Sequence, residues 1–278
     1  VKVAFKDSEL SDKEKFIQMA SDPSFTCLGT ADECANQSMD DFYGSYQQPL
    51  AIYKRLDDLA GQYPSYVRKE SIGKTYEGRD QVFYTLTDFD KDGWKDNKKV
   101  FYFCGTHPRE AIALMSCPYI MENLLSNERD SLDSQFDLPA GLLSHVTFII
   151  LPMLNVDGVH YVYKYSEDVL ALKQAMDDGT LEESENLEIW KRYYKSMMWR
   201  KTMKPNTIRC NDANSWTDVG VTGRPDDFDK DLCIEEYFGV DLNRNYPSHW
   251  MGGGASNSID SPSYAGLYAA DQVETQNM

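Results

Sequence analysis

The sequence predicts an α/β fold, and three consecutive features of one β-α-β unit carry that prediction. Val100–Cys104 is an apolar run of strand length, followed by a turn at Gly105-Thr106. A helical pattern starts after this turn, with Pro108 near its first position, where a missing backbone N–H costs nothing. The helix leads into a second apolar run, Val146–Pro152. We therefore expect two buried strands that pair in parallel through a crossover helix.

The segments before this unit are predicted to form one helix and a pair of strands. Leu50–Tyr63 has apolar side chains at helical spacing, and Gly61 and Pro64 are typical of a helix end. Tyr66–Ile72 and Gln81–Thr87 have strand-like composition and are separated by a turn. We expect all three elements to belong to the same domain as the β-α-β unit.

Length and charge restrict the classes of partner. The 278 residues suffice for one large domain or two small ones with a sizeable core. A net charge of −17 argues against nucleic acid or an anionic membrane surface as a partner. No apolar run approaches the roughly 18 residues of a membrane-spanning helix, so no membrane span is expected.

Cysteine content and one sequence motif indicate the secretory pathway. The six cysteines are an even number, and the tripeptide that begins at Asn36 is an acceptor sequence for N-glycosylation. Four cysteines lie in polar segments where they can pair, whereas Cys104 and Cys117 are interpreted as core thiols. We expect a protein that is secreted or held in the secretory-pathway lumen. The cysteines in polar segments form two possible pairs, Cys27 with Cys34 and Cys210 with Cys233.

His107 and Glu110 are predicted to bind a metal ion. His107 lies on the turn after the first strand, and Glu110 follows three residues later in the first turn of the predicted helix. An imidazole and a carboxylate at this spacing can reach one cation, and they suit zinc if a third protein ligand is added. In a chain with four His and 45 acidic residues this spacing also arises by chance, so its context decides.

The context is a second polar segment at the same edge of the predicted sheet. Met153–Gly158 is predicted to form a turn at the carboxyl end of the second strand. His107 lies on the corresponding turn at the end of the first strand. Ligands of open α/β sheets bind at this edge. Two separate segments are therefore expected to bring polar groups to one rim.

Gly239–Pro247 is a third polar segment, too polar for a core strand. It places Asn243 beside Arg244, and such a pair suits recognition of a carboxylate by a planar guanidinium group. Arg200, next to Trp199, offers another cation beside an aromatic ring. The alternative interpretation of each arginine is a surface ion pair.

A possible calcium loop has a simpler interpretation. Asp88–Gly93 matches the first half of an EF-hand loop, but Lys99 occupies the position that requires a bidentate Glu. An acidic surface turn is the favoured interpretation, and a structural calcium site is the alternative.

In their order and spacing these segments resemble the zinc metallocarboxypeptidases, the M14 family of the carboxypeptidase A and B type. The resemblance begins near Tyr46, runs to the last residue and is carried by six motifs in the order of the family. The motifs are SIGKTYEGR (71–79), GTHPREAI (105–112), LPMLNVDG (151–158), WRK (199–201), GVDLNRNYP (239–247) and the tract from GGGAS to ADQVET (252–275).

The resemblance implies a mixed twisted sheet of about eight strands with helices on both faces, of which this chain supplies the first part. It implies a partial catalytic domain over residues 42–278, incomplete at the C-terminus. Residues 1–41 are polar and acidic and are interpreted as an N-terminal extension. The family's third zinc ligand, a His, and its catalytic Glu are then expected beyond Met278. A C-terminal remainder or a partner chain is expected to complete the site.

The resemblance also carries catalytic roles to individual positions. His107 and Glu110 match two zinc ligands. Asp241 matches a partner of His107 that fixes its tautomer. Arg200 matches the arginine that polarises the scissile carbonyl and stabilises the oxyanion.

Substrate-binding roles follow in the same way. Asn243 and Arg244 match the pair that clamps the terminal carboxylate of the substrate, and Arg109 matches an arginine on the substrate cleft. The remaining histidines match no ligand position and are interpreted as structural or surface residues. They are His145, His160 and His249.

The implied activity is zinc-dependent hydrolysis of the C-terminal peptide bond of peptides or proteins by a zinc-activated water. One alternative is a non-catalytic module that binds peptide ends and lacks a complete zinc site. Another is a metal-dependent deacylase that shares the His107 and Glu110 spacing. Arg244 beside Asn243 favours peptide substrates over the deacylase.

Overall fold

The computed structural model describes residues 27, 30–129, 141–163, 178, 196–204, 206 and 239–278. Most of the predicted N-terminal extension and the predicted Cys210/Cys233 pair lie outside these residues. The chain divides into two compact units, one of residues 1–58 and 162–198 and one of residues 59–161 and 199–278.

The first unit contains two short helices, α1 (Ala31–Ala35) and α2 (Met39–Gly44), and the start of α3 (Pro49–Gln62), within which the division between the units falls. Thr30 and Glu33 form a capping box at the start of α1, which satisfies backbone donors that a helix leaves unpaired. Cys27 and Cys34 form a disulfide, as predicted. Asn36, the sequon asparagine, is exposed at the C-terminal cap of α1.

The second unit is built on a mixed sheet, which confirms the predicted α/β fold. Among the described residues the strand order is β1-β2-β4-β3. β1 pairs antiparallel with β2, and β2 pairs antiparallel with β4. β4 pairs in parallel with β3, as the β-α-β unit requires. The strands are β1 (Val67–Lys74), β2 (Asp80–Leu86), β3 (Lys98–Phe103) and β4 (Val146–Leu151).

The helices of this unit are α4 (Ala111–Arg129), α5 (Val156–Val162), whose last residue is assigned to the first unit, and α6 (Val273–Gln276). The prediction that α4 includes Pro108 and Glu110 was wrong by one turn. Residues 107–110 form a separate turn instead, in which the Glu110 N–H donates to the His107 carbonyl at 3.1 Å. Glu110 therefore lies just before the helix. None of the described helices has the length and apolar character of a membrane span.

The prediction that the first apolar strand is buried was also wrong. All six residues of β3 are exposed, including Phe101 at 47% and Phe103 at 40%. The reason is its place at the edge of the described sheet, where β4 is its one strand neighbour. An exposed apolar edge of this kind is suited to pairing with a further strand.

Cys104 and Cys117 form a disulfide, so their interpretation as core thiols was wrong. Their Cα atoms lie 6.1 Å apart, within the range of a disulfide. The bond links the residue after β3 to the second turn of α4, and the chain that it closes contains His107 and Glu110. It thereby fixes both ends of the turn that carries these two side chains.

A small apolar cluster sets the position of the third polar segment. Leu242 lies in a 3₁₀ turn, Leu242–Arg244, and is fully buried against Leu151 and Leu154 at the end of β4. Burying this one leucine fixes its two polar neighbours, Asp241 and Asn243, at the carboxyl end of the sheet.

Candidate active site

The turn that presents His107 depends on a glycine. Gly105 has a φ of +63°, and a Cβ there would lie 2.7 Å from the Leu114 side chain. Two hydrogen bonds join this turn to the end of β4: Leu154 N–H donates to Cys104 O at 2.8 Å, and Asn155 N–H donates to Gly105 O at 3.0 Å. The two strand ends therefore meet at one rim, as predicted from their order.

His107 is buried and contacts a carboxylate on each side of its ring. Its Nε2 lies 3.1 Å from Asp241 Oδ1, and its Nδ1 lies 2.8 Å from Glu110 Oε1. The Asp241 side chain is fully buried, whereas that of Glu110 is about half exposed.

Arg200 contacts the same two groups. Its Nε and Nη2 donate to Asp241 Oδ2 at 3.1 and 2.9 Å, and its Nη1 lies 3.3 Å from His107 Nδ1. Arginine has donors and no acceptor, so this contact is a hydrogen bond when His107 Nδ1 is unprotonated, whereas the contact of Nδ1 with Glu110 Oε1 is one when Nδ1 carries a proton. With Nδ1 unprotonated, the neutral imidazole carries its proton on Nε2, where it is donated to Asp241.

Asp241 connects three of the predicted site residues. Besides His107 and Arg200, it accepts the backbone N–H of Asn243 at 3.0 Å. Burial acts to raise the pKa of Asp241, but hydrogen bonds from His107 and Arg200, together with the charge of Arg200, lower it below its usual value. Asp241 is therefore ionised and accepts from every partner.

The two possible ligand groups at this site, His107 and Glu110, are of the kinds that bind zinc. With Nε2 protonated, the Nδ1 lone pair and the Glu110 carboxylate face one another, an arrangement that a shared cation stabilises. One imidazole nitrogen and one carboxylate oxygen are ordinary zinc ligands. Within residues 30–129, 141–163, 196–204 and 239–278, no third His, Cys, Asp or Glu joins them. The described residues thus offer two ligands of the three that zinc requires.

Asn243 and Arg244 line a cavity of about 280 Å³. The guanidinium of Arg244 is held by two carbonyl groups: its Nε donates to Gly254 O at 3.2 Å and its Nη1 to Asn243 O at 2.9 Å. Arg109 lies on the turn between His107 and Glu110, with its side chain exposed.

Two residues near the site were not singled out from the sequence. Lys201 is buried, with its Nζ donating to Ile259 O at 2.6 Å, and burial lowers its pKa to about 8. Asp157 is also buried and accepts Thr75 Oγ1 at 2.7 Å and Arg79 Nη1 at 2.8 Å. It thereby joins two of the six motifs. No local pattern identifies such contacts, since Asp157 and Thr75 are 82 residues apart.

Curated relatives of the chain are carboxypeptidases. Carboxypeptidase O of Homo sapiens is 24% identical over 234 residues, which cover 84% of this chain and 46% of that protein. Carboxypeptidase B of Astacus astacus is 28% identical over 234 residues, covering 84% and 55%. The chain thus spans about half the length of the curated relatives that it matches.

Solved structures show the same fold. Thrombin activatable fibrinolysis inhibitor superposes with a TM-score of 0.58 at 22% identity, covering 95% of this chain and 48% of that one. Carboxypeptidase A from Helicoverpa armigera gives a TM-score of 0.57 at 20% identity, covering 95% and 47%. The family model described as zinc carboxypeptidase matches residues 52–278. Because this match includes most of the sequence, the chain belongs to the zinc carboxypeptidase family.

Proposed function

We propose that the protein is a zinc-dependent carboxypeptidase that hydrolyses the C-terminal peptide bond of peptides or proteins. The observation that supports this most strongly is the set of contacts around Asp241. One buried carboxylate orients an imidazole, a guanidinium group and the start of an Asn-Arg pair. These are a metal ligand, an oxyanion-stabilising group and a carboxylate clamp.

His107 Nδ1 and the Glu110 carboxylate would hold the zinc ion. When bound, zinc lowers the pKa of a water molecule and polarises the substrate carbonyl. Asp241 keeps His107 in the tautomer with a free Nδ1 and makes the imidazole a stronger ligand. We propose that the third ligand and the carboxylate that takes the proton of the attacking water lie outside the described residues.

Arg200 would stabilise the negative charge that develops on the carbonyl oxygen. Two of its nitrogen atoms are occupied by Asp241, and its Nη1 lies on the side of His107 Nδ1 and Glu110, 3.9 Å from Glu110 Oε1. A donor fixed in this way before the substrate arrives needs no reorganisation during the reaction. Such a donor contributes about 3–4 kcal/mol to the transition state.

Asn243 and Arg244 would bind the terminal carboxylate of the substrate, which makes the enzyme an exopeptidase. Arg109, exposed next to His107, would contact the peptide along the cleft. We further propose a secretory location, because the disulfides at Cys27–Cys34 and Cys104–Cys117 persist in oxidising compartments.

The test uses the full-length protein and a peptide with a free C-terminus. Treatment with 1,10-phenanthroline is expected to abolish release of the terminal residue, and added Zn²⁺ is expected to restore it. Release that continues after the metal has been removed would contradict zinc dependence. Binding of the peptide without hydrolysis at saturating Zn²⁺ would identify the protein as a non-catalytic module that binds peptide ends.

A further inference from the structure

The cavity beside Arg244 has a wall that the proposed function does not use. This wall is the segment 248–253, which runs from Ser248 to Gly253 and includes His249 and Met251. None of the described residues that line the cavity is acidic, although the sequence has 45 acidic and 28 basic residues. The cavity is therefore suited to an anion. Its lining residues outside this segment are Asn243, Arg244, Tyr246 and Ala255.

Arg244 has donors left for such an anion. Its Nε and Nη1 are held by carbonyl groups, and these bonds fix the plane of the guanidinium group. Its Nη2 has no hydrogen bond within the described part of the chain. This atom lies beside Gly254, and a Cβ added to that glycine would be 3.7 Å from it. This leaves room on the open side of the guanidinium group, so a carboxylate can approach it.

His249 is held in the cavity wall by its backbone. Its φ of +57° is in the left-handed region, which non-glycine residues adopt rarely and retain where the surrounding structure fixes it. The Gly252 N–H donates to His249 O at 2.8 Å, and a Cβ on Gly252 would lie 2.7 Å from that oxygen. The tight turn therefore fixes the direction in which the His249 side chain leaves the backbone.

The ring of His249 has one nitrogen in use and one available. Ser248 Oγ lies 2.9 Å from Nδ1. When the serine hydroxyl donates to Nδ1, the imidazole proton is on Nε2. When the ring is an imidazolium, both nitrogens carry protons. In both of these states Nε2 is a donor, and a carboxylate is the acceptor that suits it. In the remaining neutral tautomer Nδ1 donates to Ser248 Oγ and Nε2 is an acceptor, so a bound carboxylate selects the first two states.

We infer that His249 donates to the terminal carboxylate of the substrate beside Asn243 and Arg244, and so is a further substrate-binding residue. This inference rests on the proposed function, in which that carboxylate occupies the cavity. It assigns a role to a histidine that matches no metal-ligand position. A hydrogen bond to a charged group predicts that loss of the imidazole weakens carboxylate binding roughly tenfold or more.

The test compares two ligands that contain no peptide bond, 3-phenylpropanoate and its amide, 3-phenylpropanamide. Their binding to the full-length protein is measured by calorimetry. The unaltered protein is expected to prefer the carboxylate, and Arg244→Met is expected to lose most of that preference. His249→Gly is expected to weaken carboxylate binding roughly tenfold and to leave amide binding unchanged. Glycine adopts the left-handed conformation readily, so the turn is retained.

Met251→Gly is the matched control. Met251 lines the same cavity and has a φ of +60°, but it has no hydrogen-bond donor in its side chain. Its substitution is expected to keep the ratio of carboxylate to amide affinity. If His249→Gly keeps the ratio of carboxylate to amide affinity, or if both variants lose equal carboxylate affinity, the role of His249 is overturned. The proposed carboxylate clamp of Asn243 and Arg244 is not contradicted by that result. No carboxylate preference in the unaltered protein would overturn the clamp as well.

Discussion

Replacing Asp241 with asparagine is expected to lower kcat/KM by at least about a hundredfold. The Asp241 carboxylate accepts from His107 and Arg200 at once. An asparagine has one acceptor oxygen and one donor group, so one partner must face a donor. If that partner is His107, the imidazole takes the other tautomer and Nδ1 is lost as a ligand. If it is Arg200, the guanidinium loses its counter-ion and its orientation.

Two measurements on the full-length protein separate these effects. Bound zinc, measured by atomic absorption, reports on His107, and kcat at saturating zinc reports on Arg200. Asp271→Asn is the control, because Asp271 is also buried and accepts Asn245 Nδ2 at 2.9 Å, at a distance in sequence from the metal ligands. Activity and zinc content that fall no further in Asp241→Asn than in Asp271→Asn would contradict the central role of Asp241.

Glu274 is expected to make the folded protein more stable in acid than at alkaline pH. Its side chain is fully buried, and neither carboxyl oxygen has a hydrogen-bond partner among the described residues. Burial raises its pKa to about 7, and the nearby charge of Asp157 adds to this. Backbone N–H groups that lie near the carboxyl without forming hydrogen bonds to it, together with Lys204, offset part of the rise. The carboxyl is therefore mainly protonated in the folded protein below about pH 7.

The sign of the pH dependence follows from proton binding. Between the unfolded value of 4.5 and the folded value of about 7, the folded protein binds more protons than the unfolded chain. The contribution of Glu274 to the free energy of unfolding is therefore highest below pH 4.5. This contribution is lost as the pH rises through 7. The loss is about 3 kcal/mol.

Urea unfolding at several pH values measures this contribution. Glu274→Gln keeps the shape of the side chain and removes the charge, so it is expected to flatten the fall between mildly acid and alkaline pH. Glu70→Gln, at an exposed position of β1, is the control and is expected to keep the slope. A slope that is the same in both variants would show that Glu274 is not its source.

The sequence predicted the strands of the second unit well, because their patterns are local. The antiparallel pair of β1 and β2 and the parallel pair of β3 and β4 are observed where composition and turn residues place them. The environment of β3 was not predictable in the same way. Its apolar composition is that of a buried strand, but burial depends on which strands are its neighbours, and that is a non-local property.

The same distinction applies to the site. The spacing of His107 and Glu110 is local, so the sequence shows that both side chains can reach one cation. The contact between Asp241 and Arg200 joins residues 41 positions apart, and the chain between them lies largely outside the described residues. Nothing in the local pattern of either residue indicates it. The Cys104–Cys117 bond was missed because two cysteines in apolar segments also suit a core.

The most direct test of the central claim is the position of the metal in crystals of the full-length protein. Anomalous diffraction at the zinc absorption edge is expected to give a single peak about 2.0–2.2 Å from His107 Nδ1 and from a Glu110 carboxylate oxygen. The same site is expected to show the third ligand that the described residues do not contain. A zinc peak elsewhere, or full peptidase activity in crystals without a peak at His107, would contradict the account.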